Sequence, residues 1–411
     1  MFSHRQKLGI FKKLQSFDGV NEVTLPSRRL HEYAVAAALT CYNLLKQKLL
    51  TISSKMNTFE QRLQQLASNS NSRETTITPP PPNGSRKKPS SNSLPCSTLD
   101  VFTTTRFKGN QLAVIHVPSS LPLPASVLLS QETKQTIARE FNFSETVFLH
   151  DAVAGTSDRR LDIFTLKEEL PFAGHPIIGT ICHVCQSEEP PLESVTLLCK
   201  AGPIMGRYDP ETKLAEAEIP HNVRIHQAPV SGRAVLKAQP YLSRTSVVTN
   251  ELRVVSIVHG MSYVLIQVPS ISPHLEKLEV GGPSVDCDSV KLDEGWTPSF
   301  IGTYFYAITS HSSDKIVRLR TRMLEPSVGE DSATGSAAST LASFLALKDG
   351  TGKMTFYYSI EQGVEMGRAS EIQVKVTLDA TGKAVEKVVL AGRAVRVTQG
   401  VLYLPESRTS T

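Results

Sequence analysis

The sequence has no run of about 18 uncharged apolar residues, the length that an α-helix needs to cross a bilayer. Its beginning, Met1–Phe11, also lacks the continuous apolar core of a secretory signal peptide. Both absences argue against a membrane protein or a secreted one, and we expect a soluble protein of the cytoplasm. The chain is basic and has no acidic residue before Asp18, so a mitochondrial presequence is the alternative.

The sequence also lacks the glycine motifs that bind nucleotides. The segment Asp331–Ser339 (DSATGSAAS) has no lysine after its glycine, as a Walker A motif requires. Gly352 and Lys353 are followed by Met354, where that motif needs Ser or Thr. No G-x-G-x-x-G sequence opens a helix after a strand, so nicotinamide or flavin binding has no support.

Cysteine is sparse: six residues form no dense framework, and nothing indicates secretion, so reduced thiols are expected. Cys182-x-x-Cys185 has the spacing of a zinc or redox pair. Zinc prefers four ligands, however, and no second cysteine pair follows at zinc-finger spacing. We interpret both cysteines as small packing residues of a helix and expect no metal site.

The net charge of +5 is unevenly distributed. Residues 1–95 contain 14 Lys and Arg against 5 Asp and Glu, a net +9, whereas the remainder contains 30 against 34, a net −4. A nucleic-acid-binding protein needs a basic face on its folded domain. The basic residues lie in the leader instead, so we expect no nucleic-acid partner.

The chain divides into a leader and a strand-rich body. Residues 30–66 have the pattern of one or two helices, and residues 68–95 are a Ser/Asn/Pro-rich linker of the kind that stays disordered. Short β patterns follow from about Ser97, with Gly109-Asn110 as the first turn. The two clearest helices begin at glycine-containing turns about 160 residues apart, and they do not alternate with strands as in a doubly wound sheet.

These two helix starts are Phe172–Thr180 (FAGHPIIGT) and Asp331–Ser339. Unpaired N–H groups and the helix dipole make a helix start suitable for an anion, and glycine lets a ligand approach the backbone. Either start alone is more simply an ordinary N-cap. Together, facing each other, they would hold a carboxylate with room for chemistry between them.

Three ionisable residues accompany these turns. Glu145 precedes a strand among apolar neighbours, where a carboxyl pKa can rise toward neutrality and suit a proton shuttle; a solvated strand end is the alternative. His175 lies in the first turn and Asp331 precedes the second. A His–Asp pair would fix the tautomer of the ring, but the spacing alone favours simple turn and cap roles.

The ordered blocks of this body resemble the phenazine-biosynthesis-like isomerase family, which has the diaminopimelate epimerase fold. The resemblance spans roughly residues 97–405 and rests on four blocks: Gly109–Val114, Ile137–Leu149, Ile163–Thr180 and Glu330–Ala338. It implies an α+β fold of two pseudo-symmetric lobes, each a mostly antiparallel sheet around a central helix. The expected segments are a leader at 1–95, a first lobe at 96–225 with the strand at 396–411 as an optional part, and a second lobe at 226–395.

The resemblance also implies the roles of individual residues. Glu145 carries the proton, and His175 and Asp331 are hydrogen-bonded across the cleft between the lobes. The residues expected to contact substrate are Ser144, Gly174, His175, Asp331, Gly335 and Ser336. Family members act on a small carboxylate substrate without cofactor or metal and are commonly homodimers, so we expect the same here.

Several positions depart from related patterns. The family often has Pro where this chain has Gln111 and Ser332, which changes backbone stiffness rather than a reactive group. Sister racemases use one cysteine at each turn, and this chain has Ala173 and Ala333 there. A single carboxylate that takes and returns a proton therefore fits best. An epimerase with another partner group and a catalytically silent protein-binding scaffold are the alternatives.

Overall fold

Nineteen strands dominate the part of the chain that the computed structural model describes, which is residues 93–120, 129–233, 237, 239–243, 251–281, 290–297, 300–311, 316–325, 329–349 and 352–405. The strands of the first half are Ser93–Val101 (β1), Asn110–Val117 (β2), Glu145–Ala152 (β3), Arg159–Phe164 (β4), Glu169–Leu170 (β5), Ser194–Cys199 (β6), Gly202–Asp209 (β7), Leu214–Glu218 (β8), Arg224–Ile225 (β9) and Val230–Ser231 (β10). Those of the second half are Glu251–Val258 (β11), Met261–Gln267 (β12), Phe300–His311 (β13), Ile316–Glu325 (β14), Gly329–Asp331 (β15), Thr355–Gln362 (β16), Ser370–Leu378 (β17), Val385–Gly392 (β18) and Ala394–Tyr403 (β19).

Few helices accompany these strands. The helices whose two ends lie within the described residues are Gln131–Phe141 (α1), Gly174–Ser187 (α2), the single turn Pro240–Ser243 (α3) and Gly335–Asp349 (α4). A short π-helical turn lies at Ile271–Leu275. The composition of the body, rich in β patterns with two prominent glycine-turn helices, predicted this arrangement, and the structure confirms it.

The two halves of the sheet repeat one pairing scheme. In the first half β1–β2, β3–β4, β6–β7 and β7–β8 are antiparallel, whereas β2–β3 and β4–β6 are parallel. In the second half the same sequence of pairings joins β11–β12, β12–β13, β13–β14, β14–β16, β16–β17 and β17–β18. Helix α2 precedes β6, and α4 precedes the corresponding strand β16. The structure therefore confirms two pseudo-symmetric lobes.

The lobes are joined by strands that extend beyond their own half. Strands β8 and β18, which correspond to each other, pair antiparallel across the boundary. The final strand, β19, pairs with β1 of the first lobe, and β9 pairs with β11 of the second. The segment that the sequence offered as an optional part of the first lobe, 396–411, overlaps this strand, which runs from Ala394 to Tyr403 beside β1.

Helices α2 and α4 form the centres of the two lobes because their sequences carry almost no charge. Every residue of α2 from Gly174 to Cys185 is buried, and most of α4 is buried as well. A helix that is apolar or small on all sides is stable only inside a core. Cys182 and Cys185 pack there, and burial raises their pKa values to about 12 and about 11, so these thiols are packing residues. Among the described residues no cluster of three or more potential ligands could hold a metal ion.

The body begins slightly earlier than the sequence pattern indicated. Strand β1 starts at Ser93 rather than near Ser97, because Leu94 is buried in the small core around α1. The predicted helices at 30–66, and the linker at 68–95 apart from its last three residues, lie outside the described residues. No helix within the described part of the chain has both the length and the apolar character needed to span a bilayer.

Candidate active site

The first residues of α2 and α4 meet at the centre of the molecule. A Cβ atom added to Gly335 would lie 3.6 Å from Cα of Gly174, and one added to Gly174 would lie 3.7 Å from Cα of Gly335. The side chain of Leu390 covers both glycines, because its Cδ2 would lie 2.7 Å from the Cβ added to Gly174 and 3.0 Å from the Cβ added to Gly335. Glycine at both positions permits this close approach. The prediction that the two helix starts face each other is confirmed.

The start of α2 has no side-chain cap. Its N-cap residue is Ala173, in an extended conformation, whose methyl group cannot accept a hydrogen bond. An ordinary Ser or Thr N-cap, the simpler interpretation of this motif, is therefore absent. The N–H groups of the first turn keep their capacity to bind a negatively charged group. Asp331 is not a helix cap either, since α4 begins four residues after it, at Gly335.

Glu145 and His175 form a hydrogen-bonded pair beside the two helix starts. Nδ1 of His175 lies 2.9 Å from Oε2 of Glu145. The side chain of Glu145 is 19% exposed and that of His175 is 4% exposed, so neither is a solvated surface group. Glu145 is the first residue of β3 and His175 the second of α2, so the start of this strand brings the acid to the start of the helix.

Asp331 is held by other partners. Nδ2 of Asn110 donates to Oδ1 of Asp331 at 2.9 Å and to the carbonyl oxygen of Ala333 at 2.9 Å. The hydroxyl of Thr334 donates to Oδ2 of Asp331 at 2.6 Å. The expected hydrogen bond between His175 and Asp331 is therefore wrong: both oxygens of Asp331 accept from other groups, Nδ1 of His175 faces Glu145, and Nε2 of His175 has no hydrogen-bond partner among the described residues.

The two carboxyl groups have pKa values shifted in opposite directions. Burial acts to raise the pKa of Glu145, but the hydrogen bond and charge of His175, together with the Ser144 hydroxyl, leave it below its ordinary value. The upward shift that the sequence suggested for Glu145 is therefore wrong. Burial and the nearby charge of Glu145 raise the pKa of Asp331 to about 6, despite the bond from Thr334. The carboxyl group with the raised pKa is therefore that of Asp331, in the second lobe.

Two serines complete the predicted set. The Ser144 hydroxyl lies 3.4 Å from Oδ1 of Asn110 and adjoins Glu145 in the chain. The Ser336 hydroxyl, in the first turn of α4, lies 2.6 Å from the hydroxyl of Tyr263, a fully buried residue of β12. All six predicted contact residues and Glu145 thus lie around the junction of the two helix starts.

Sequence reasoning missed three residues that shape this site: Asn110, Tyr263 and Gln362. Nε2 of Gln362 donates to the carbonyl oxygen of Asp331 at 2.9 Å, and its Oε1 accepts from the N–H of Thr334 at 3.3 Å. The sequence at Gly109-Asn110 predicts a turn and belongs to one of the family blocks, but neither observation assigns a role to the Asn110 side chain. A buried amide at the first position of a strand was the available signal, because such a group needs partners.

We expect Asp331→Asn to be more stable than the wild type at pH 7 by about 1–3 kcal/mol and equally stable near pH 4. In the unfolded chain an Asp has a pKa of about 3.9. Because the folded pKa is raised to about 6, stability falls as the pH rises from about 4 to 6 and stays lower above that window. Asparagine resembles the protonated acid and removes this cost.

Urea unfolding at the two pH values measures the effect. Asp158→Asn, a change of the same chemistry in the β3–β4 connection away from the site, is the control. An advantage of Asp331→Asn that is the same at pH 4 and pH 7 would contradict the assignment.

Comparison with known proteins gives a consistent result. Residues 99–400 match the family described as phenazine biosynthesis-like protein. An uncharacterized isomerase of Mesorhizobium japonicum is 31% identical over 327 residues, covering 74% of this chain and 97% of the relative. The trans-2,3-dihydro-3-hydroxyanthranilate isomerase of Pseudomonas fluorescens is 27% identical over 312 residues, with 74% and 98% covered. The solved structure of a Bacillus anthracis phenazine biosynthesis protein of the PhzF family has a TM-score of 0.58 at 18% identity, with 76% and 99% covered, which shows a shared fold.

Proposed function

This chain belongs to the phenazine biosynthesis-like family of isomerases, and we propose that it moves a proton between two carbons of a small carboxylic acid, with Glu145 as the acid–base group. The observation that carries the proposal is the Glu145–His175 pair, 2.9 Å apart, beside the meeting point of two helix starts. The pKa of the Glu145 carboxyl lies below its ordinary value, so this group is ionised at neutral pH, as a base must be.

The proposed reaction balances within the site. The Glu145 carboxylate takes a proton from a carbon next to an unsaturated or carbonyl system, the electron pair shifts along that system, and the resulting carboxylic acid returns the proton to another carbon on the same face. Substrate and product are isomers, so the step needs neither an oxidant nor a cofactor. The N–H groups at the starts of α2 and α4 would bind the substrate carboxylate and the charge that develops.

A second candidate, an epimerase of a small acid, has a specific basis in Asp331. Stereoinversion needs one group on each face of the substrate, and Asp331 comes from the opposite lobe with a pKa of about 6. Two facts disfavour it: both oxygens of Asp331 already accept hydrogen bonds, and Ala173 and Ala333 provide no other acid at the turns. An inverted product carrying solvent deuterium would favour the epimerase.

A screen of small carboxylic acids in deuterium oxide tests the proposal. The set should include trans-2,3-dihydro-3-hydroxyanthranilate, because relatives carry that activity in their names, together with other unsaturated acids and amino acids. We expect one compound to be converted to an isomer, with deuterium at the carbon that receives the proton to the extent that the Glu145 carboxylic acid exchanges with solvent before the return. If ligands bind in a thermal-shift assay and none is isomerised or exchanges a proton, the protein is a binding scaffold and the proposal is wrong.

A further inference from the structure

The connection between β16 and β17, Gly363–Ala369, ties the two lobes together next to the candidate active site. The N–H of Gly109 in the first lobe donates to the carbonyl oxygen of Ala369 at 3.1 Å. Nζ of Lys108 donates to the carbonyl oxygen of Gly367 at 2.7 Å. This connection of the second lobe is thus fastened to the turn that precedes Asn110.

Arg368 makes the largest number of these contacts. Its Nε donates to the carbonyl oxygen of Gly109 at 2.8 Å, and one terminal nitrogen donates to the carbonyl oxygen of Lys108 at 3.0 Å and to Oδ1 of Asp100 at 2.6 Å. The Asp100 side chain is 3% exposed, and its other oxygen accepts from the N–H of Phe107. The guanidinium group therefore holds the β1–β2 turn at three points, which its planar fork of donors permits.

The backbone of the turn has little conformational freedom at Gly109, whose carbonyl oxygen accepts from Arg368. Gly109 has φ of +68°, and a Cβ atom there would lie 2.3 Å from the carbonyl oxygen of Val101. The next residue is Asn110, 6% exposed, whose amide reaches across the lobes to Asp331 and Ala333. A change in the path of the turn would therefore move the amide away from the Asp331 carboxylate.

We propose that Arg368 is a positioning residue of the active site, which acts through Gly109 and Asn110 to hold the carboxylate of Asp331 in place. It rests on the proposed function in one respect, that the Asp331 carboxylate belongs to a catalytic site. Its physical content is a chain of contacts that runs from Arg368 to the Gly109 carbonyl, along the backbone to the Asn110 amide, and to Oδ1 of Asp331.

The titration of Asp331 tests this chain of contacts without any substrate. Protein labelled with carbon-13 at the aspartate carboxyl gives one resonance that disappears in Asp331→Asn and thereby identifies the group. Glu145 and His175 are the charged groups that act on Asp331 across the cleft, and no variant alters them. A donor that binds the ionised form lowers a pKa, so its loss should raise the midpoint.

We expect Arg368→Gln to raise the midpoint of Asp331 by roughly half to one pH unit, about the effect of one lost hydrogen bond. Asn110→Ala should give a shift of the same size. The double variant should shift no further than either single variant, because both changes break one chain of contacts. Arg368→Lys should also raise the midpoint, since an ammonium group keeps the charge but not the fork of donors.

Arg393→Gln is the matched control. Arg393 is 28% exposed against 24% for Arg368, and its side chain also joins the lobes, through the carbonyl oxygen of Thr212 and a weak pairing with Glu371. Its contact with the β1–β2 connection is through its backbone carbonyl, which accepts from the N–H groups of Phe102 and Thr103 and which the substitution leaves in place. Its removal should leave the Asp331 midpoint unchanged. If Arg368→Gln does not fold, Arg368→Lys carries the same test.

Three outcomes overturn the proposal: an unchanged Asp331 midpoint in folded Arg368→Gln, additive shifts in the double variant, or a wild-type midpoint in Arg368→Lys. The last would show that only the charge matters. Because no turnover is measured, a failed proposal about Arg368 is distinguishable from a failed assignment of the reaction.

Discussion

Glu145→Gln is expected to lower turnover by about 10²–10⁴-fold while the protein stays folded and continues to bind acids. Glutamine has nearly the shape of glutamate, and its carbonyl oxygen can still accept a hydrogen bond from Nδ1 of His175, which lies 2.9 Å from the native oxygen. It cannot accept a proton from carbon, so the acid–base step is lost. Deuterium incorporation into the substrate found by the screen measures the loss.

Glu140→Gln is the matched control, because it makes the same chemical change on the exposed face of α1, five residues earlier. It should exchange deuterium at the wild-type rate. Thermal-shift measurements with a bound acid should give similar increases for both variants, since the helix starts at Gly174 and Gly335 are unaltered. Full exchange by Glu145→Gln would remove Glu145 from the mechanism.

The large-scale arrangement of this site was accessible from the sequence because it depends on local signals. Glycine-containing turns before uncharged segments predict buried helix starts, and Gly174 and Gly335 do meet in the structure. The same uncharged character explains why Cys182 and Cys185 are packing residues. Such features follow from composition and periodicity within a dozen residues.

The hydrogen-bond partners were not accessible in this way. Asp331 accepts a hydrogen bond from Asn110, 221 positions away, rather than from His175, because the way the two lobes pack together decides which side chains meet. The pKa directions depend on the same choice: with His175 turned to Glu145, the pKa of Glu145 falls and that of Asp331 rises. Both groups are acids among apolar neighbours, and only the three-dimensional pairing separates them.

Arg322→Leu is expected to destabilise the protein by about 3–5 kcal/mol, the largest stability effect that we predict for a single change. Nε and one terminal nitrogen of Arg322 donate to the two oxygens of Glu330 at 2.8 Å and 2.7 Å, and both side chains are 4% exposed. The other terminal nitrogen donates to the carbonyl oxygens of Leu275 and Leu278. The variant leaves the buried Glu330 carboxylate without its partner and removes one donor from each of the two carbonyls, of which that of Leu275 keeps the N–H of Leu278.

Urea unfolding followed by fluorescence measures this loss, since the single tryptophan, Trp296, stacks on His259 in the second lobe. Lys387→Leu is the control: its ion pair with Glu218 is 47% and 55% exposed, and its loss should cost no more than about 1 kcal/mol. The double variant Arg322→Leu/Glu330→Leu should recover much of the stability, because no buried charge is left unpaired. A double variant as unstable as the single one would contradict this explanation.

The double variant also separates stability from function. Glu330 directly precedes Asp331 on β15, and Arg322 holds that strand against β14. Replacing the ion pair by leucines restores apolar packing but not the bidentate geometry that fixes the backbone at Asp331. We therefore expect the double variant to fold but to exchange substrate protons more slowly than the wild type. Exchange at the wild-type rate would show that the Arg322–Glu330 ion pair serves stability alone.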